Sequence, residues 1–179
     1  MNLPNKLTLI RILIVPFFVA SFYLPWGFTN YIAAGLFIIA AITDHLDGRI
    51  ARSKNLITNF GKFMDPIADK ILVLAAMVML NTMGKLSPII TIIVLSREFM
   101  VSGMRLVMAK EGTVVAASIW GKMKTVTQLV GIVMVLLDNP IFCLWNIPMD
   151  QIVMWISTVL AVISGWDYIK AGLKYIEFK

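Results

Sequence analysis

The sequence is poor in the residues that form disulfides and soft-metal sites. It contains one cysteine, Cys143, and one histidine, His45, among 179 residues. A single cysteine excludes an intrachain disulfide, and one cysteine with one histidine argues against a zinc site. Charged residues are scarce as well, at 15% of the chain, which argues against an ordinary soluble domain.

Hydrophobic residues make up 59% of the chain, which is typical of an integral membrane protein. The uncharged stretch 12–43 exceeds the roughly 20 residues of one crossing, and Pro25 and Gly27 indicate a turn within it. We predict an all-α membrane protein with six transmembrane helices in a single domain, residues 1–179. The predicted spans are 9–24, 29–50, 63–83, 86–108, 122–140 and 149–170, with a short N-terminal interfacial helix over residues 2–8.

The 16 Lys and Arg residues concentrate in alternate connections between these spans. By the positive-inside rule, this distribution predicts a multi-pass protein with both termini in the cytoplasm. The net charge of +6 could indicate a nucleic-acid partner, but the cations form clusters that flank the membrane. Anionic membrane lipids are therefore the expected partner, and nucleic acid is not.

Four aspartates lie at the cytoplasmic ends of the second and third spans. Asp44 and Asp47 are three residues apart and Asp65 and Asp69 are four apart, so each pair shares one helix face. Carboxylate oxygens suit hard cations such as Mg²⁺ or Mn²⁺, and four carboxylates neutralise two such ions. Asp69 could also accept a proton from an attacking hydroxyl. Two alternatives are ion pairs with nearby Arg and Lys residues and the ion path of a divalent-cation transporter.

The residues between the aspartates suit a phosphate ligand. Gly48 and Ala51 have little side chain, so a ligand can approach the backbone, and Arg49 and Arg52 lie nearby for phosphate. The Asp65–Pro66 pair fits a helix start or a kink.

The run from Asp44 to Asp69 resembles the signature of the CDP-alcohol phosphatidyltransferase family, Asp-x2-Asp-Gly-x2-Ala-Arg-x8-Gly-x3-Asp-x3-Asp, at all its fixed positions. The resemblance implies a six-helix membrane fold, usually a homodimer, whose site opens to the cytoplasm. It implies transfer of a phosphatidyl group from CDP-diacylglycerol to an alcohol, with release of CMP. The residues it assigns are Asp44, Asp47, Asp65 and Asp69 to metal ions, Asp69 also to the catalytic base, and Gly48, Ala51, Arg52 and Gly61 to the CDP-lipid.

The acceptor has to be inferred from polar residues elsewhere. Arg97 lies near the middle of the fourth span, and Arg105 follows two turns later, where an arginine is costly. A phosphorylated acceptor would explain both, and Lys122 and Lys124 could add positive charge. The alternatives are that Arg97 pairs with Glu98 or with a carboxylate of a neighbouring helix, and that the lysines are ordinary cytoplasmic flanks.

Weaker similarities connect the chain to a bacterial branch of the family. They lie in residues 3–8 with Arg11, in Arg97–Glu98 and in residues 121–125. They imply sn-glycerol 3-phosphate as acceptor and the bacterial cytoplasmic membrane as location. Asn5 and Thr8 would then reach the nucleotide or diphosphate, although a cap or an interfacial hydrogen bond explains them equally well. Inositol phosphate and serine are the alternative acceptors.

Overall fold

The computed structural model describes residues 3–25, 27–53, 59–110, 118–142 and 145–173. Within these ranges, the side chains of 3–7, 44–53, 59–63, 65, 66, 69 and 110 lie outside the description. The described residues form six α-helices and no β-strand. The helices are α1 (Leu3–Ser21), α2 (Thr29–Ser53), α3 (Asn59–Thr82), α4 (Pro88–Lys110), α5 (Ile119–Leu136) and α6 (Met149–Gly172).

Each of the six predicted spans corresponds to one helix, so the all-α prediction is confirmed. The separate interfacial helix over residues 2–8 is not found in the described part of the chain, because α1 is continuous from Leu3. Among the described residues, α5 and α6 are long and apolar enough to cross a membrane. Shorter apolar helical stretches are Thr8–Ser21, Thr29–Thr43 and Lys70–Thr82.

Hydroxyl side chains inside these apolar helices bond to their own backbone. Thr43 donates to the carbonyl of Ile39 at 2.7 Å, and Thr158 donates to that of Met154 at 2.8 Å. A hydroxyl that bonds to the carbonyl four residues earlier avoids the cost of an unpaired polar group in an apolar setting. Thr43 and Thr158 can therefore lie in an apolar helix without a hydrogen-bond partner on another helix.

The helices divide between two compact units. Unit 1 consists of Met1–Met83 with Leu136–Asp138, and in it α1 packs on α2 and α3 while α2 contacts α3. The ring of Phe18 in α1 lies 6.1 Å from that of Phe37 in α2, and both side chains are fully buried. Small buried residues let the helix backbones approach closely. In α2 and α3 these are Ala33, Ala34, Ala40, Ala68 and Ala76.

Unit 2 consists of Gly84–Val135 with Asn139–Lys179, and in it α4 packs on α6. Arg97 bonds to Ser164 and Arg105 bonds to Tyr168, so the contacts advance in the same direction along both helices. We conclude that α4 and α6 are parallel. On α5, by contrast, Gly121 lies beside Arg97 and Gly131 lies beside Met154. Since this order is reversed, α5 runs antiparallel to α6.

Two connections contain residues with left-handed backbone: the one between α3 and α4, at Gly84, and the one that follows α5. Gly84 has φ 68°, a conformation that glycine adopts without strain. Asp138 and Asn139 have φ 57° and 54°, and the Asn139 amide nitrogen donates to the carbonyl of Met134 at 2.9 Å. This turn ends α5 earlier than the predicted residue 140.

Candidate functional site

The four motif aspartates lie on the two neighbouring helices of unit 1. Helix α2 contains Asp44 and Asp47, and α3 contains Asp65 and Asp69. Unbroken helical backbone at both pairs sets their members about one turn apart, as the spacing predicts. Because α3 already begins at Asn59, the interpretation of Asp65–Pro66 as a helix start is wrong.

The donor set at these positions fits hard divalent cations, since four carboxylates supply only oxygen ligands. The backbone supports this fit because α2 and α3 are in contact and each carries two of the acids within one turn. The aspartate side chains themselves lie outside the described residues. Among the described side chains, no group of three or more His, Cys, Asp or Glu comes together as a metal site.

The residues assigned to the CDP-lipid are also in unit 1. Gly48, Ala51 and Arg52 continue α2, and Gly61 lies near the start of α3, but their surroundings lie outside the description. The side chain of Asn5 is likewise outside it. Thr8 in α1 is described and is 1% exposed, so it belongs to the interior of unit 1. The structure leaves these assignments as predictions.

Unit 2 contains a described cluster of charged side chains around Glu98. One carboxylate oxygen of Glu98, Oε1, accepts from Arg97 Nη1 at 2.7 Å and from Lys124 Nζ at 2.5 Å. The alternative in which Arg97 pairs with Glu98 is therefore observed. Lys124 is almost fully buried, so a lysine that could have been a simple cytoplasmic flank lies in the interior of the unit.

Helix α6 supplies the other partners of the two arginines. Ser164 Oγ accepts from Arg97 Nε at 3.2 Å and from Arg97 Nη2 at 2.8 Å. Tyr168 Oη accepts from Arg105 Nη2 at 2.6 Å. The Tyr168 ring centroid lies 5.0 Å from Cζ of Arg105 and 5.9 Å from Cζ of Arg97, within the range of cation–π attraction.

The structure thus brings together three of the four residues predicted to bind the acceptor, Arg97, Arg105 and Lys124. Glu98, Ser164 and Tyr168 connect them. Lys122 is exposed on α5, and its side chain forms no hydrogen bond or ion pair with the described residues. The cluster carries three positive charges and one negative charge, so it can bind an anion of about two negative charges.

Two glycines make room for the Arg97 side chain. A Cβ placed on Gly165 would lie 3.1 Å from Arg97 Cγ, which is tighter than ordinary contact. A Cβ on Gly121 would lie 3.4 Å from Arg97 Nη2. The space that Arg97 occupies therefore depends on residues from α5 and α6.

Sequence reasoning did not identify Ser164, Gly165 or Tyr168 as part of this cluster. The sequence did contain a signal for them, because small and polar residues recur at helical spacing along α6. In the structure the members of this series are buried. They are Ser157, Ala161, Ser164, Gly165, Tyr168 and Gly172.

Comparison with known proteins decides the family. The model of the family described as CDP-alcohol phosphatidyltransferase matches residues 1–163, which include both the aspartate motif and the α4 arginines. The chain belongs to the CDP-alcohol phosphatidyltransferase family. The resemblance seen in the motif is thereby confirmed, and the chain is a phosphatidyltransferase.

Bacterial relatives of similar length carry a more specific name. A protein of Bacillus subtilis (strain 168) is 43% identical over 179 residues, covering 93% of each chain. A protein of Rickettsia felis is 38% identical, covering 97% of each chain. A protein of Haemophilus influenzae is 35% identical, covering 94% of this chain and 90% of its own. Each is named CDP-diacylglycerol–glycerol-3-phosphate 3-phosphatidyltransferase.

Proposed function

We propose that this phosphatidyltransferase transfers the phosphatidyl group of CDP-diacylglycerol to sn-glycerol 3-phosphate, giving phosphatidylglycerophosphate and CMP. The observation that carries the proposal is the cluster of Arg97, Arg105 and Lys124 in unit 2. The names of the relatives support the same reaction, since they specify both substrates.

The charge of the cluster favours a phosphorylated acceptor. Glu98 offsets one of the three cations, so a net charge of about +2 remains to meet the dianion of a phosphate monoester. Arginine presents a planar fork of N–H donors that matches phosphate oxygens. Serine has no phosphate group to use these donors. Inositol phosphate has one, so the two phosphorylated alcohols have to be distinguished by experiment.

In the proposed reaction, Asp44, Asp47, Asp65 and Asp69 would hold Mg²⁺ or Mn²⁺, with two ions per site. When bound, these ions offset the negative charge of the diphosphate. Arg97, Arg105 and Lys124 bind the phosphate of the acceptor. The residues that would bind the CDP-lipid are Asn5, Thr8, Gly48, Ala51, Arg52 and Gly61.

Asp69 is also the proposed base. It accepts the proton of the acceptor hydroxyl while that oxygen bonds to the lipid-side phosphorus of the diphosphate. The bond from this phosphorus to the oxygen of the CMP phosphate breaks, and CMP leaves with the electron pair. A carboxylate is a weak base in water, so its activity here depends on how closely it lies to the hydroxyl.

We further propose that all six helices cross the bacterial cytoplasmic membrane, with both termini and the site on the cytoplasmic side, and that the protein is a homodimer. The opposite direction of α5 relative to α6 supports alternating crossings. Large apolar side chains exposed on α6, such as Trp155, Val159 and Val162, support contact with lipid.

An acceptor assay tests the proposed function. Purified protein is mixed with CDP-diacylglycerol, Mg²⁺ or Mn²⁺, and sn-glycerol 3-phosphate, inositol phosphate or serine in turn, and CMP release is measured. We expect release with sn-glycerol 3-phosphate only. Release with another alcohol but not with this one would overturn the choice of acceptor. Metal flux into vesicles without CMP release would instead indicate a transporter.

A further inference from the structure

Tyr168 of α6 contacts both arginines of the cluster. Its hydroxyl oxygen accepts a hydrogen bond from Arg105 at 2.6 Å, and its ring lies within cation–π distance of Arg97 and Arg105. Two guanidinium groups repel each other, and the negative face of an aromatic ring offsets part of that repulsion. Tyr168 therefore offsets part of the repulsion between two arginines that approach the same ring.

The Tyr168 ring is itself held in place by α4. It is 3% exposed and packs in a buried cluster with Val101 and Met108, with the partly buried Met104 against it. A side chain with two rotatable bonds in such a packed site has little freedom. The positions of the ring and hydroxyl are thus set by the packing of α4 on α6.

The arginines retain hydrogen-bond donors that could reach a ligand. Arg97 directs three of its N–H groups to Ser164 and Glu98, which leaves two of the five without a partner among the described residues. Arg105 directs one N–H group to Tyr168, which leaves four without a partner in the part of the chain that the structure describes. The protein thus orients both guanidinium groups while leaving donors available for phosphate oxygens.

We propose that Tyr168 is a positioning residue that orients Arg97 and Arg105 toward the phosphate of the acceptor and so sets the enzyme's affinity for it. The proposal rests on the proposed function, since it takes sn-glycerol 3-phosphate as the ligand of the cluster. Tyr168 acts through the arginines, and its own contact with the acceptor is not required.

Two variants separate the contribution of the hydroxyl from that of the ring. Tyr168→Phe removes the hydroxyl and with it the hydrogen bond from Arg105, and we expect the KM for sn-glycerol 3-phosphate to rise roughly three- to tenfold. Tyr168→Leu removes the ring as well, and we expect a rise of about thirtyfold or more. The KM for CDP-diacylglycerol should stay within about twofold in both variants, because the arginines are assigned to the acceptor alone.

Inorganic phosphate provides a second readout, because it reports binding of a phosphate group that cannot itself be turned over. As a competitor of sn-glycerol 3-phosphate, it should show an inhibition constant that rises in parallel with the KM across the two variants. A purely structural role for Tyr168 would lower the amount of active protein and leave both constants unchanged.

Ile90→Ala is the matched control, because Ile90 is a fully buried residue of α4 that lies outside the buried cluster around Tyr168. It should lower thermal stability without raising the KM for sn-glycerol 3-phosphate. An unchanged KM in Tyr168→Leu, or equal rises for both substrates, would overturn the role of Tyr168 while the proposed function stands. If the wild-type protein releases no CMP with sn-glycerol 3-phosphate, both proposals fail, and this is seen before any variant is made.

Discussion

The two charged regions of this protein are built in opposite ways. The aspartate motif of unit 1 is local in sequence, since its acids occupy two consecutive helices between residues 44 and 69. The cluster of unit 2 joins three helices, and its hydrogen bonds connect residues 26, 63 and 67 positions apart. A site made by local spacing can be identified from the sequence, whereas a site made by helix packing needs the structure.

The regions also differ in how their charges are balanced. The motif concentrates carboxylates, whose mutual repulsion would be relieved by bound cations. The unit 2 cluster already contains an internal counter-charge, Glu98, which holds Arg97 and Lys124 at one oxygen. We therefore expect the function of the motif to depend on metal ions, and the fold of the cluster to depend on Glu98.

The largest effect is expected from Asp69→Asn. This change removes a base and a proposed metal ligand together, so turnover should fall by roughly 10³-fold or more while the protein still folds. CMP release and thermal unfolding measure the two properties. Asp138→Asn is the control, because Asp138 is a carboxylate of unit 1 that accepts a hydrogen bond from Asn30 outside the motif. Turnover near the wild-type level in Asp69→Asn would remove its role as the base.

Arg105→Ala addresses the other region, and its effect should be smaller and confined to one substrate. We expect kcat/KM for sn-glycerol 3-phosphate to fall about 10- to 100-fold, because hydrogen bonds to a charged group are lost. Lys170→Ala is the control, because it also removes one positive charge from unit 2 but outside the cluster. Among the contacts described, Lys170 lies only over the ring of Trp166. Similar losses in both variants would mean that general positive charge, and not this cluster, attracts the acceptor.

Glu98→Gln tests whether the cluster is held together by its own carboxylate. Arg97 and Lys124, both mostly buried, would lose their counter-charge, so the free energy of unfolding should decrease by about 2 kcal/mol. The loss is smaller than for a fully buried ion pair because the Glu98 side chain is 22% exposed. Thermal unfolding in detergent measures the change. The double variant Glu98→Gln/Lys124→Met removes one of the repelling cations and should recover part of the loss. If it recovers none, the ion pairs are not what Glu98 contributes.

Much of the fold follows from the sequence, because long apolar runs interrupted by Pro, Gly and charge determine where helices form in this chain. The start of α5 shows the limit. The prediction began at residue 122, whereas the helix begins at Ile119 after Ser118, whose hydroxyl accepts from the amide of Gly121 at 3.1 Å. Ser118 as N-cap is a local sequence signal for this start. The prediction missed it because the span was drawn from the charged residues Lys122 and Lys124.

The candidate site also has residues that the sequence predicts and residues that only the structure shows. Positions 44, 47, 65 and 69 were identified from spacing alone, and the helices place them as expected. Arg97 and Arg105 were identified from the cost of charge in an apolar span, but Ser164 and Tyr168 were missed. Neither is unusual in an apolar helix, and their role appears only when α4 and α6 pack in parallel. The metal ions and the roles of the motif residues remain predictions.

The smallest expected effect comes from adding one methyl group beside Arg97. In Gly165→Ala the new Cβ would lie 3.1 Å from Arg97 Cγ, so the side chain must shift, and we expect the KM for sn-glycerol 3-phosphate to rise about two- to threefold. In Gly121→Ala the nearest atom of Arg97 is at 3.4 Å, an ordinary contact, and the KM should hardly change.

Gly131→Ala is the control for packing damage in the same unit. Its Cβ would lie 2.6 Å from the sulfur of the buried Met154, away from the arginines, so it should lower thermal stability and leave the KM for the acceptor unchanged. A higher KM in Gly165→Ala but not in Gly131→Ala would show that sub-ångström placement of Arg97 matters for the acceptor. Equal behaviour of the two variants would mean that the cluster tolerates such shifts, and that its net charge matters more than its geometry.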